Sequence, residues 1–141
     1  MTVGFIAGCF DGPNGLHEGH KYILKEAHDY CDLLVVAIND DEYIINKKKR
    51  NPLSSVDKRR KALLDSQLAD VVRVFHSDPL DLILDIKPNF IFVGNDYKPE
   101  EVVGYKESKK WGCQTIIIDR IPNISTTEII QNKLDNEDKI G

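Results

Sequence analysis

Short apolar runs alternate with longer amphipathic ones along the whole chain, and no other feature restricts the fold as much. The clearest run is Leu33–Asn39, LLVVAIN, which is apolar almost throughout. A strand with oily residues on both faces needs cover on both sides, as in a parallel sheet flanked by helices. Residues 3–10, 71–75, 90–93 and 113–118 read as four further strands. The first ends at Asp11-Gly12-Pro13-Asn14-Gly15, a dense turn signal.

Helical patterns fill the intervals. Residues 17–30 place Ile23, Leu24, Ala27 and Tyr30 on one side. A second helix starts near Ser54 or Ser55 and runs to about 68, with Ser54 and Asp57 at capping-box spacing. A third has Pro79 in its first turn and ends near 86. A fourth begins at Pro99, carries Glu100 and Glu101 first and Lys109 and Lys110 last, and stops before Gly112. The last starts at Ser125, and the polar residues 135–141 read as a frayed tail. Residues 47–52 are basic and non-periodic and read as a loop. Strand and helix alternation predicts an α/β, Rossmann-like three-layer sandwich around a five-stranded parallel sheet with right-handed crossovers. The 141 residues suit one domain, residues 1–141. Ligands of such sheets sit beyond the carboxyl ends of the strands, near the switch point.

Composition narrows the function. With 19 Lys plus Arg against 23 Asp plus Glu, the net charge of -4 disfavours general nucleic-acid binding. No apolar run is long enough to span a bilayer, so no membrane partner is expected. The segment MTVGFIAGCF has neither the basic region nor the cleavage site of a signal peptide. Cys9, Cys31 and Cys113 are scattered and odd in number, as in a reduced, cytoplasmic protein.

Two segments stand out beyond strand ends. After the first strand comes Gly15-Leu16-His17-Glu18-Gly19-His20. Two histidines three apart at a helix start share a face, and Gly19 lets a flat ring approach the backbone. The free N–H groups of a helix start add an attraction for phosphate. Surface or capping histidines are the plainer alternative, and a zinc site lacks a third ligand. After the fifth strand comes Ile124-Ser125-Thr126-Thr127-Glu128. Ser125 and Glu128 have capping-box spacing, while Thr126 and Thr127 are free to offer hydroxyls to a phosphate chain. The basic run Lys47, Lys48, Lys49 and Arg50 is either a solvated face or a loop that closes over a triphosphate.

In these residues the chain resembles the cytidylyltransferase-like nucleotidyltransferases. The matching pieces are Gly8-Cys9-Phe10-Asp11, His17-Glu18-Gly19-His20, Arg59, Gly94-Asn95-Asp96-Tyr97 and Ile124-Ser125-Thr126-Thr127-Glu128-Ile129, in the family's order. The resemblance implies that His17 and His20 stabilise charge at the α-phosphorus. It implies that Lys47 or Lys48 reaches the triphosphate and that Arg59 binds phosphate. Ser125, Thr126 and Thr127 would hold the outer phosphates. Cys9, Phe10, Asp11 and Gly19 would line the nucleotide pocket, with Asp96 near nucleotide or acceptor. Mg2+ would accompany the nucleotide, without a dedicated metal-ligand set on the protein, and a homodimer is implied. The family places the first histidine three residues after the Asp, whereas Asp11 and His17 are six apart here. The extra turn either bulges outward or reshapes the acceptor pocket.

The resemblance splits over substrates. Arg120, five residues before Ser125, has the spacing of glycerol-3-phosphate cytidylyltransferases and leans slightly towards CTP. Residues 94–104, GNDYKPEEVVG, look like the adenylyltransferase domain of ADP-heptose synthases, and lean towards ATP and a heptose 1-phosphate. The acceptor is thus a phosphorylated polyol or sugar. A rival from another class is a dinucleotide-binding module built on Gly8, Gly12, Gly15 and Asp40, whose spacing is not GxGxxG and which leaves the histidines unused.

Overall fold

Five parallel strands lie in the order β3-β2-β1-β4-β5: β1 Val3–Gly8, β2 Leu33–Asn39, β3 Val71–Phe75, β4 Phe90–Gly94 and β5 Gln114–Ile118. The structure is a computed structural model that describes residues 1–12, 16, 18–94 and 98–119. The chain steps outward from β1 to β3, then returns to the other side of β1 for β4. That reversal creates a crevice at the carboxyl ends of β1 and β4. The register keeps the strand ends level, with Gly8 opposite Ile38 and Asn39 opposite Phe75.

Alternate residues of each strand face opposite layers. Ile6, Val36, Ile38 and Phe92 pack with Ile23, Leu24 and Ala27 of α1 (Glu18–Tyr30) and Leu63 of α3 (Val56–Asp65). Phe5, Val35, Ala37 and Ile91 pack with Ile83 of α4 (Leu80–Ile86). The sheet is therefore covered on both faces, and the expected α/β three-layer architecture is the observed one. The residue just past α1 meets the sheet closely. A Cβ on Gly4 would fall 2.5 Å from Phe92 Cε2 and 2.7 Å from Cys31 Sγ, so only glycine fits there.

The structure corrects several local expectations. The first strand stops at Gly8 rather than at residue 10, because Phe10 takes a positive φ of 48° and turns the chain. Residues Asp41–Lys48 form a helix, α2, so Lys47 and Lys48 sit on its last turn and not in a loop. Asp40 caps it, its carboxylate accepting from Tyr43 N at 2.9 Å. The cap of α3 is Ser55, which accepts from Lys58 N, while Ser54 Oγ donates to Gly12 O. Helix α3 ends at Asp65 because Gln67 has φ 63°. The helix expected over 99–110 is broken into a 3₁₀ turn Pro99–Glu101, α5 (Tyr105–Ser108) and a second 3₁₀ turn Lys109–Trp111. Gly104, with φ 89°, interrupts it and brings its backbone against Ile83. The helix expected from Ser125 and the tail lie outside the described residues.

Candidate active site

The carboxyl end of β1 is held in an unusual shape by a buried cation. Arg59, on the second turn of α3, is 0% exposed. Its Nη1 donates to Cys9 O at 3.0 Å and to Asn39 O at 2.7 Å. Its Nε donates to Ser54 O at 3.0 Å, and its Nη2 to Asp41 Oδ1 at 2.7 Å. One guanidinium thus ties the ends of β1 and β2 to the starts of α2 and α3. A left-handed phenylalanine is costly and persists only where its surroundings impose it. Here the preceding carbonyl is pulled by Arg59, and the following side chain is clasped as well.

That clasp is Asp11. Its carboxylate is 1% exposed and accepts from Leu53 N at 2.9 Å, Ser54 N at 2.8 Å and Arg50 Nη1 at 2.8 Å. Burial pushes its pKa up, but the Arg50 guanidinium and the two backbone N–H groups outweigh burial and hold it below the usual value. Asp11 therefore stays ionised and pins the segment that follows α2.

His20 lies in the first turn of α1, next to Gly19, and is buried at 3% exposure. Its ring stands 5.1 Å from that of Phe10 at 58°. Phe10, itself buried in the core, thus seats the histidine. His17, Asp96, Arg120, Ser125, Thr126 and Thr127 lie outside the described residues.

On the opposite face of the sheet a cavity of about 300 Å3 opens beyond β1, β2 and β4. Phe5, Ala7 and Ile91 give it an apolar floor, and Cys9, Asn39, Tyr43, Lys48, Ser77 and Asp78 provide polar groups. Its volume is at the lower end of small-molecule sites, about 300–1,000 Å3. Lys48 lines it and Lys47 does not, which separates the two lysines that the sequence left equivalent. Burial raises the pKa of the Cys9 thiol, with the charges of Lys48 and Arg59 pulling against it. The thiol is accordingly a neutral donor, and it reaches Asn39 Oδ1 at 3.4 Å.

Asn39, Tyr43, Ser77 and Asp78 were not singled out in the sequence. Asn39 had a signal: it is the polar residue that closes an otherwise apolar run, at the end where ligands bind. The others lie on segments placed by α2 and β3. At the rim, Asp40, Glu42 and His76 bring one ligating atom each within 4.8 Å. Asp40 Oδ2 pairs with His76 Nδ1 at 2.8 Å while its Oδ1 caps α2, so the carboxylate is already committed. No helix among the described residues is long and apolar enough to cross a membrane.

Comparison with known proteins agrees with this fold. The profile described as "Cytidylyltransferase-like" matches residues 5–132. The protein called bifunctional protein HldE from Rhodopseudomonas palustris (strain HaA2) is 35% identical over 133 residues, covering 93% of this chain and 26% of that protein. Its counterpart from Granulibacter bethesdensis is 38% identical over 133 residues, covering 93% and 27%. The chain thus spans about a quarter of the length of these relatives. Among solved structures, the lipopolysaccharide core biosynthesis protein from Thermoplasma volcanium GSS1 superposes with a TM-score of 0.68 at 26% identity, covering 86% of this chain and 97% of that one.

Proposed function

The chain belongs to the cytidylyltransferase-like nucleotidyltransferases, and from that premise we propose that it transfers adenylate from ATP to a heptose-type sugar 1-phosphate, releasing pyrophosphate. The observation that carries this reading is the cavity beside α2, where one lysine stands among neutral and acidic hydrogen-bonding groups. Such a lining suits a ligand with one phosphate and several hydroxyls. The HldE relatives and residues 94–104 favour ATP and the heptose over CTP. The HldE relatives do not favour glycerol 3-phosphate, towards which the Arg120 spacing leans.

In this reading a phosphate oxygen of the acceptor attacks the α-phosphorus of ATP. The new P–O bond forms as the bridging bond to the β-phosphate breaks, and pyrophosphate carries away the electron pair. A phosphate monoester has a second pKa of about 6, so it is largely ionised at neutral pH and needs no general base. What remains is positioning and neutralisation of charge. His20, seated on Phe10, acts at the transferred phosphate with His17. Lys48 draws in the phosphate of the acceptor. Ser125, Thr126, Thr127 and Arg120 serve the outer phosphates, and Asp96 the nucleotide or acceptor. Arg59 acts by position, since four of its five donors are engaged by the protein. The Asp40–Glu42–His76 group does not suit a dedicated Mg2+ site, because Asp40 is already committed to His76 and to the cap. Mg2+ would therefore arrive with ATP, and the chemistry it would supply is neutralisation of phosphate charge.

The test is pyrophosphate release from ATP or CTP with Mg2+, each crossed with heptose 1-phosphate and glycerol 3-phosphate. Turnover with ATP and heptose 1-phosphate is expected. Turnover only with CTP and glycerol 3-phosphate would replace the substrates and leave the reaction class intact. A dinucleotide-binding role would show as binding of NAD with no turnover in any arm. The homodimer, carried over from the resemblance, is checked by sedimentation equilibrium of the purified chain.

A further inference from the structure

Asn39 ends β2 with only 5% of its surface exposed. Strand alternation puts its side chain on the face of Val35 and Ala37, which is the cavity side. Its backbone carbonyl is taken by Arg59, and its Oδ1 accepts the Cys9 thiol. Because that thiol is a donor, it directs Oδ1 towards Cys9 and the amide nitrogen away from it. The amide nitrogen makes no hydrogen bond to any described residue. A carboxamide carries two N–H donors. Buried donors without partners are uncommon in folded proteins, because their lost hydration is not repaid. A leucine here would fill similar space without that cost, so the donors imply a ligand atom that meets them.

The neighbouring wall offers the complementary chemistry. The Ser77 hydroxyl has no partner among the described residues and lines the same cavity. Asp78 uses Oδ1 to accept from Leu80 N at 2.8 Å, and its second oxygen has no partner among the described residues. A buried amide donor on the same cavity as an exposed hydroxyl and an exposed carboxylate oxygen matches a row of sugar hydroxyls, each of which both donates and accepts.

We propose that Asn39 is the residue by which this site selects a polyhydroxylated acceptor, its amide donating to a sugar hydroxyl oxygen while Asp78 and Ser77 accept hydroxyl protons. The inference rests on the cavity being the acceptor pocket. A short polyol phosphate anchored at Lys48 leaves the Asn39 donors unmet. Sites built to hydrogen-bond a hydroxyl reject analogues lacking it far more strongly than apolar pockets reject a missing methylene.

The experiment compares wild type with Asn39→Ala, using Mg·ATP and either heptose 1-phosphate or glycerol 3-phosphate. The KM for the heptose is expected to rise roughly tenfold to a hundredfold, the scale of one unpaired hydrogen-bonding group. The KM values for ATP and for glycerol 3-phosphate should stay close to wild type, so the preference between acceptors narrows. In wild type, the Asn39 side-chain amide resonances should shift on titration with heptose 1-phosphate and stay still with ATP alone. That second readout decides the matter if the variant does not fold. An unchanged heptose KM in folded Asn39→Ala, an equal rise for both acceptors, or unmoved amide resonances would overturn the inference while wild-type turnover leaves the proposed function standing. Wild-type protein that binds ATP but neither binds nor converts the heptose phosphate would overturn both.

Discussion

The guanidinium of Arg59 donates to the carbonyl oxygen of Cys9 at 3.0 Å, and in doing so joins a helix four elements along the chain to the strand end where substrate chemistry is expected. The same group takes the Asn39 carbonyl, so β1 and β2 are held together just beyond their last ladder bonds. An arginine that the family resemblance offers as a phosphate ligand is thereby occupied in holding two strand ends together.

Arg59→Met is expected to cost at least about 3 kcal/mol, because three carbonyls lose their donor at roughly 1 kcal/mol or more each. For a chain of this size that lowers Tm by roughly 10 °C, read by circular dichroism. A variant that melts like wild type but no longer binds ATP would return Arg59 to the role of phosphate ligand.

Asp11→Ala removes three hydrogen bonds to residues 50–54, and the segment from Lys47 to Arg50 should open more often. Trypsin cleavage there is expected to speed up by about tenfold or more, the scale of a lost charge-assisted clasp. The pH dependence follows from the lowered pKa. The carboxylate stabilises the fold above its ordinary value of 3.8, and that contribution is lost as pH falls through the lower folded value. The stability gap between wild type and Asp11→Asn should therefore close in strong acid. A gap that persists there would mean that the charge is not what clasps the loop.

Lys48→Ala should reduce kcat/KM by about a hundredfold, the usual scale of removing one charge-stabilising group. Lys47→Ala should stay near wild type, since Lys47 does not line the cavity. Equal losses in steady-state assays of the two variants would place both lysines on substrate.

His76 has its pKa raised by the hydrogen bond its Nδ1–H donates to Asp40, and Asp40 has its own lowered: burial pushes it up, but His76 and the Tyr43 N–H outweigh that. The Asp40 contribution is present above 3.8, and the His76 contribution is complete below 6.5 and fades as pH rises through the raised value. Thermal melts of His76→Gln against wild type should thus differ most between these two values and converge in alkali. A difference that grew with pH would contradict the pairing.

Much of this was legible in the chain itself. The runs Leu33–Asn39 and Val71–Phe75 match their strands residue for residue, the first because apolar side chains on both faces suit a strand covered on both sides, the second because its β-branched valines favour extended backbone. Helix α2 was not legible: only Ile44 of its eight residues is buried, so it has little amphipathic pattern. It is held instead by the Asp40 cap and by the ion pair from Asp41 to Arg59. The opposite error occurred at 99–110, where good helix ends hid the break that Gly104 makes against Ile83.

At the site, residue types and their order along the chain identified the family and the strand ends that matter. Local pattern alone settles that much, because periodicity, turn chemistry and motif spacing are properties of neighbours in sequence. The direction of each side chain is set by partners distant in the chain. Arg59 turns inward because Cys9 and Asn39, 50 and 20 residues away, present carbonyls at two strand ends. Lys48 rather than Lys47 meets the cavity because a helical turn, formed only once α2 is tied down, points them apart. The sequence by itself determined the sheet, its cover and the chemistry available. Only the tertiary structure decided which of those groups holds the strand ends in shape and which lines the cavity.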